Sequence, residues 1–404
     1  MPSFNPLEQP GIPLEQQIRN WRELNVEPFD PDTVHPYTRC RVIVMNGIEV
    51  EAMLFSHNFA RHTNDTELRR QLAFSRYVEA QQQKVVNWLL PGWSSVLETT
   101  IAYEQVATDL TAWVARQEPD PYLVQAYQFG LLEDFDHLYR YANLYEMIEH
   151  RKAEKIVDSL TEVMPGRREA WYQHRHPHDN IREPYDKDTA APLSKLHQLT
   201  ITAAEQQTQN FYANVGPQYM EPIARQLYQE IALVEQEHVT HYESLIDGSQ
   251  TWLEQHVLHE YNECYLYYSF MEQEVDPKIK QIWELHLNME IGQLQAACDL
   301  LRRHEERDPA ELLPTELPNV LMFEPNKEYI RGVLAEKIDV TTLGTGYVME
   351  MHERFMWMLE QLGKDTPTAK VVELHEERFG TDFRSEQEGP YPVEEMRQKQ
   401  AARS

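Results

Sequence analysis

A carboxylate and an imidazole stand one helical turn apart in the middle of the chain, at Glu235 and His238. Residues 233–242 contain no Gly or Pro, and residues three apart on a helix face the same side. Glu235 and His238 could therefore bind one metal ion together. Alone, this pair is weak evidence, because a chain with 66 Asp and Glu residues produces such pairs by chance on solvated helix faces.

An internal repeat with a period of 101 residues supports a metal site. Each copy has one carboxylate and, 30 residues later, an acid followed at the third position by a histidine. Self-similarity at a fixed period is the signature of a repeated structural unit. His241 falls opposite Arg140 in this register, so His238 is the preferred ligand. The predicted metal ligands are Glu104, Asp134, His137, Glu205, Glu235 and His238.

Four carboxylates and two imidazoles suit a pair of divalent ions, because four negative charges neutralise two such ions. Oxygen and nitrogen donors without thiolate favour iron or manganese over zinc or copper. Two alternatives stay open. Glu133, which lies four residues before His137, could replace Asp134 as a ligand. The acids could also form a buried hydrogen-bonded network without a metal, although burying so many charges would be costly.

Composition excludes several classes of partner. A net charge of −29 with 37 basic residues argues against binding to nucleic acid or to an anionic membrane. Cys40, Cys264 and Cys298 are far apart and encode neither a disulfide framework nor a thiolate metal site. The N-terminus lacks a signal sequence, and no run approaches about 18 apolar residues. We therefore expect a cytoplasmic protein.

Long segments that mix polar and apolar residues, together with only 14 Gly, predict an all-α fold class. The exception is Asn46-Gly47 between β-branched residues, which predicts a small N-terminal β-hairpin. The predicted divisions are an arm with this hairpin over residues 1–63, a four-helix bundle over 64–248, additional helices packing on it over 249–383, and a polar tail over 384–404.

Turn residues define the helices within these divisions. Helices are predicted over residues 67–90, 93–117, 122–150, 250–274, 277–304, 344–363 and 366–379. Two helical hairpins, with turns at residues 119–121 and 214–217, would bring the predicted ligands to one level.

Two other groups in these segments are ambiguous. The crossover between the hairpins carries His174, His176 and His178, which indicate either a secondary metal site or a solvated polar run. Glu260 and Glu290 repeat the spacing of 30, but Gln293 replaces the histidine. We interpret the helices that carry Glu260 and Glu290 as a structural hairpin. A decayed copy of the repeat would give the same spacing.

The motif resembles that of the ferritin-like di-iron carboxylate superfamily, whose bundles carry E, E-x-x-H, E and E-x-x-H on four successive helices. The resemblance covers residues 93–246. It implies a ferritin-like four-helix bundle that binds two iron ions, with Mn/Fe or Mn/Mn as alternatives in the same ligands. Asp134 departs from the family pattern, which usually has Glu there, and implies an asymmetric pair of ion sites.

The resemblance also suggests catalytic residues. Tyr141 and Tyr242 each follow a motif histidine by four residues, where the similar small subunits of ribonucleotide reductase carry a tyrosine that is oxidised to a radical. Hydrogen bonding that orients the ligands is the plainer interpretation. Thr208 follows Glu205 by three residues, near the place where several oxygenases of this class hold a threonine beside oxygen. The aromatic residues that could line a substrate cavity are Tyr103, Phe129, Phe135, Tyr139 and Phe211.

The resemblance implies an oxidase or oxygenase that uses O2, an external electron donor and a small organic substrate. Ferritins are little longer than one bundle, whereas most of this chain lies outside residues 93–246. Rubrerythrin-like peroxidases often carry a C-x-x-C module, and this sequence has none. The alternative is a ferritin-like metal-binding or peroxide-reducing protein without an organic substrate. We expect a homodimer with no nucleic-acid or membrane partner.

Overall fold

The computed structural model describes residues 4–166, 170–337, 340–344, 349–382 and 384, and these residues form helices and loops without a strand. The all-α prediction is thereby confirmed. The helices in chain order are α1 (Pro36–Arg61), α2 (Thr66–Trp88), α3 (Val96–Gln117), α4 (Pro121–Glu149), α5 (Glu154–Val157), α6 (Pro192–Val215), α7 (Pro222–Glu243), α8 (Trp252–Gln273), α9 (Pro277–Glu305), α10 (Lys327–Glu336), α11 (Met349–Leu362) and α12 (Pro367–Phe379).

The predicted N-terminal β-hairpin is wrong, because Asn46 and Gly47 lie in the middle of α1. A Cβ atom on Gly47 would lie 2.9 Å from Nε2 of Gln207, so the glycine permits close packing rather than a turn. Asn46 donates a hydrogen bond to Gln207 and accepts one of 2.7 Å from Gln83. These buried contacts with distant parts of the chain override the local turn preference.

Local sequence signals mark most helix ends. Asp65 accepts hydrogen bonds from the backbone N–H groups of Glu67 and Leu68 and caps α2. Ser95 and Glu98 form a reciprocal capping box at the start of α3. Such caps satisfy N–H groups that have no partner within the helix, so the sequence places helix ends to within a few residues.

The described residues divide into two units. The first unit comprises residues 4–93, 185–207 and 246–323, and the second comprises 94–184, 208–245 and the described part of 324–384. Helix α6 is divided between them after Gln207. The four consecutive divisions predicted from the sequence stay a prediction. Of the predicted tail, residues 385–404 lie outside the described residues.

The first unit is built on four long helices that pack in a closed cycle. Helix α1 packs against α2 and α8, and α9 packs against α8 and α2. Leu14, Val78 of α2 and Met289 of α9 form a small core cluster in this unit. Several glutamates are also buried in this unit, which is uncommon unless they have partners.

The second unit is organised around α4, which packs against α3, α7, α10 and α12. Every residue of α4 from Phe129 to Met147 is buried. A helix that is buried on all sides must provide polar partners for its own acids and histidines. Asp134 and His137 lie in this buried stretch.

Gly130 of α4 allows α7 to approach closely, because a Cβ atom there would lie 1.9 Å from the hydroxyl oxygen of Tyr242. We expect Gly130→Ala to lower the free energy of unfolding, because overpacking costs about 1–3 kcal/mol and the gain in helix propensity is only about 1 kcal/mol. Urea unfolding measures this change. Tyr242→Phe in the same chain should restore part of the loss, since the hydroxyl is the clashing group. Equal losses in the single and double variants would contradict this contact.

No helix among the described residues combines the length and apolar character that crossing a membrane requires.

Candidate metal centre

Buried carboxylates and imidazoles of the second unit lie close enough together to hold a metal ion. Glu104 on α3, His137 on α4 and Glu235 on α7 each place a ligand atom within 4.8 Å of the others. Asp134, Glu235 and His238 do the same. All five side chains are at most 1% exposed. Glu235 belongs to both groups and joins them into one centre.

Glu235 lies between the two imidazoles. Its Oε1 lies 2.9 Å from Nδ1 of His137, and its Oε2 lies 3.0 Å from Nδ1 of His238. Two ligand atoms bound about 2.1 Å from one ion at a right angle lie about 3 Å apart. Each oxygen of Glu235 is thus placed to act as a ligand together with one histidine, so Glu235 would contribute to both groups.

The other ring nitrogen of each histidine faces a fixed polar partner. Nε2 of His137 lies 2.6 Å from Oε1 of Gln173, and Nε2 of His238 lies 2.8 Å from Oε2 of Glu133. Hydrogen bonds of this kind orient a metal-binding imidazole and raise its basicity. Both Nδ1 atoms are therefore the nitrogens that face the centre.

Asp134 and Glu133, the alternative ligands left open by the sequence, have different surroundings in the structure. Oδ1 of Asp134 lies 3.4 Å from Nδ1 of His238, on the side of the centre. Glu133 instead faces Nε2 of His238, and its Oε2 accepts a hydrogen bond of 2.9 Å from Arg175. This geometry favours Asp134 as the ligand and Glu133 as the group that orients His238.

Substituting the two acids separately tests this division of roles. Asp134→Asn should remove a ligand and lower metal content at saturation. Glu133→Gln should keep the full content but weaken affinity about 10- to 100-fold, the usual effect of losing a partner of a ligand. Competition with a chromophoric chelator measures both quantities. The reverse result, with stoichiometry lost only in Glu133→Gln, would make Glu133 the ligand.

Glu104 is held by a residue that sequence reasoning missed. The hydroxyl of Tyr212, on the second-unit part of α6, donates a hydrogen bond of 2.6 Å to Oε1 of Glu104. Tyr212 follows Glu205 by two helical turns, so the two residues lie on the same face of α6. This spacing in the sequence could have identified Tyr212. Gln173 offered a weaker signal, as it lies next to His174 in the histidine-rich loop.

Glu205 is buried on α6, in the segment that belongs to the first unit. It lies one turn before Thr208, where the second unit's part of that helix begins. Its role as a ligand stays a prediction.

The predicted catalytic residues are all buried. The hydroxyl of Tyr141 has no hydrogen-bond partner among the described residues, and its ring packs 4.9 Å from that of Tyr228. The ring of Tyr242 lies 6.3 Å from that of His238. Thr208 is 5% exposed. Their catalytic roles stay predictions.

The remaining histidines have other partners. Nε2 of His174 lies 2.7 Å from Oε1 of Glu230. Nδ1 of His176 accepts a hydrogen bond from the backbone N–H of His178. Nδ1 of His241 lies 3.1 Å from the backbone carbonyl oxygen of Asn180. The three loop histidines are absent from the potential metal-binding groups found among the described residues.

The aromatic residues predicted to line a cavity take part in packing. Phe129 and Phe135 belong to a buried core cluster, and the Tyr103 ring stacks 4.5 Å from that of Phe211. Tyr139 is also buried. A role for these residues in binding substrate stays a prediction.

The charges of the centre are coupled. Burial by itself would lower the pKa of His137, but the carboxylates of Glu235 and Glu104 raise this pKa to about 9. Burial disfavours the charged form of Glu235, yet His137 and His238 hold its pKa well below the ordinary value. Without a cation, His137 is therefore protonated near neutral pH, and metal binding at this residue releases a proton.

This coupling predicts a pH dependence for the metal-free protein. The pKa of His137 is higher in the folded state than the unfolded value of about 6.5, so its stabilising effect is complete below pH 6.5. We expect that effect to disappear as the pH rises through about 9. Urea unfolding in the presence of a chelator, with His137→Gln as reference, isolates the effect. A stability difference between the two proteins that does not change with pH would contradict this assignment.

Comparisons of this chain with protein-family models, with curated proteins and with solved structures give no match.

Proposed function

We propose that the second unit holds two iron ions in a ferritin-like site and that the protein is an oxidase or oxygenase acting on a small organic substrate. The observation that carries this proposal is the position of Glu235, with one oxygen toward Nδ1 of each imidazole. Glu104 and Asp134 complete two adjacent donor groups around it.

The donor set fits iron. Imidazole nitrogen with carboxylate oxygen and no thiolate suits iron and manganese, so Mn/Fe and Mn/Mn pairs are the variants of the same proposal. Reduced iron bound here would supply the electrons and the binding position for O2. Electrons for further turnovers would come from an external donor.

The protein's own residues would keep this site ordered and dry. Gln173 and Glu133 orient the two imidazoles, and Tyr212 holds Glu104. The burial of the ligands excludes bulk water, which strengthens electrostatic interactions and limits side reactions. These contacts support a preorganised site. The cytoplasmic location and the homodimer are expected from the sequence alone.

Anaerobic loading followed by exposure to O2 tests the proposal. Protein freed of metal with a chelator is loaded with two equivalents of Fe(II) per chain and mixed with oxygenated buffer. We expect a rapid change in near-ultraviolet and visible absorbance, which zinc-loaded protein should not show. The proposal is wrong if the iron-loaded protein shows no oxygen-dependent change in absorbance. Continued uptake of iron beyond two equivalents, or faster oxidation by peroxide than by O2, would favour the storage or peroxide-reducing alternative.

A further inference from the structure

The first unit contains a second group of buried acids, separate from the centre in the second unit. Helices α1, α2, α8 and α9 each contribute one glutamate to it. One oxygen from each lies within 4.8 Å of the others. We call this group the four-glutamate cluster, and its members are Glu49, Glu79, Glu263 and Glu290.

Several acceptor atoms in and around the cluster are buried without a hydrogen-bond partner among the described residues. They include both carboxylate oxygens of Glu79, Oε2 of Glu263 and the amide oxygen of Gln293. Glu79 is 3% exposed and Glu263 is 1% exposed. Burying an acceptor without a partner costs free energy, and burying a charge costs more. A bound cation would give these acceptors a partner.

The groups that donate hydrogen bonds to the cluster are neutral. The amides of Gln82 and Gln293 donate to Glu290, and the hydroxyl of Tyr267 donates to Glu49. These bonds fix two of the carboxylates but do not balance their charge. Burial, and repulsion between neighbouring carboxylates, raise the pKa of every member of the cluster.

The donor chemistry differs from that of the second unit. Gln82 and Gln293 follow Glu79 and Glu290 by three residues, the spacing at which histidines follow acids in the second unit. The cluster therefore offers only oxygen atoms, which hard ions such as Mg²⁺, Ca²⁺ and Mn²⁺ prefer. Metal–oxygen distances of about 2.0–2.6 Å place opposite ligands about 4–5 Å apart, which agrees with the observed spacing of the carboxylates.

We propose that the four-glutamate cluster binds one hard divalent cation, of the Mg²⁺, Ca²⁺ and Mn²⁺ class, through Glu49, Glu79, Glu263 and Glu290. A cleft of about 210 Å³ in the same unit is lined by residues that include Gln82 and His286. Because the amide of Gln82 contacts Glu290, this cleft provides a route by which the ion enters. The ion links four helices and has no redox role, so the site stabilises the first unit independently of iron.

Mn²⁺ is added as the only metal, because electron paramagnetic resonance reports how many Mn²⁺ ions bind and which kinds of atom bind them. In the full-length variant His137→Ala/His238→Ala, we expect about one equivalent of Mn²⁺ that shows no electron spin-echo modulation from imidazole nitrogen. Adding Glu79→Gln should weaken this binding at least about tenfold, since a ligand is lost. Glu67→Gln serves as the control, because Glu67 is an exposed acid on the same helix.

A rise in melting temperature on adding Mn²⁺ to the double-histidine variant provides a second measurement that does not require Glu79→Gln to fold. The proposal is overturned if the double-histidine variant binds no Mn²⁺, if the bound ion shows imidazole modulation, or if folded Glu79→Gln retains the original affinity. None of these outcomes depends on oxygen chemistry, so this proposal and the proposed oxidase function can fail separately.

Discussion

Glu235→Gln should reduce the iron bound after reconstitution from two equivalents per chain to less than one and should abolish the oxygen-dependent absorbance change. The reason is that Glu235 has one oxygen toward each histidine, so the substitution alters the ligand set on both sides of the candidate centre. The substitution also removes the negative charge that balances His137. Elemental analysis of the reconstituted protein and stopped-flow absorbance measure the two effects.

Glu237→Gln is the matched control for this substitution. Glu237 lies on the same helix two residues later, and its Oε2 is 3.2 Å from Nε of Arg175. Burial raises its pKa to about 7, although Arg175 lowers it, so a neutral side chain is tolerable at this position. We expect Glu237→Gln to retain both equivalents of iron. Equal losses in the two variants would mean that the helical register assigned to the site is incorrect.

His238→Ala should remove at least one equivalent of metal from protein purified from its native host. Its Nδ1 lies 3.4 Å from Asp134 and 3.0 Å from Glu235, so the substitution deletes the only nitrogen donor of that group. It also leaves Glu133 buried without its histidine partner, which adds a loss of stability. Elemental analysis gives the metal content, and thermal unfolding gives the stability.

His241→Ala provides the comparison, because His241 is equally buried and lies one turn further along α7. Its Nδ1 faces a backbone carbonyl oxygen rather than the centre. This variant should unfold at a lower temperature yet keep its metal. Full retention of metal in His238→Ala would refute the assignment of His238 as a ligand.

The contacts around the centre show how much of it was predictable. Helical spacing places Glu235 and His238 on one face wherever a helix forms, and the 101-residue repeat relates them to Asp134 and His137. The orientation of the two imidazole rings was not predictable from the sequence. Gln173, from the connection between α5 and α6, contacts His137, and Glu133 of α4 contacts His238 of α7. Sequence spacing relates residues along one helix but not the side chains that approach it from outside.

In the first unit, a local sequence pattern predicts the wrong conformation. Glu49 and Glu79 are also 30 residues apart. The β-hairpin predicted at Asn46-Gly47 hides this relation, because helical spacing does not apply to residues placed in a hairpin. An Asn-Gly pair favours a turn only when the chain around it is free to make one. Here close contact with Gln207 decides the conformation.

The sequence by itself determined the all-helical class, most helix ends and the residue types of a candidate metal centre, because capping, proline positions and helical periodicity are local properties. Only the tertiary structure decided which acid faces the candidate centre and which partners orient the two imidazoles. It also brought together four glutamates from distant helices in the first unit. Those outcomes depend on side chains far apart in the chain meeting in a buried environment, where each polar atom requires a partner.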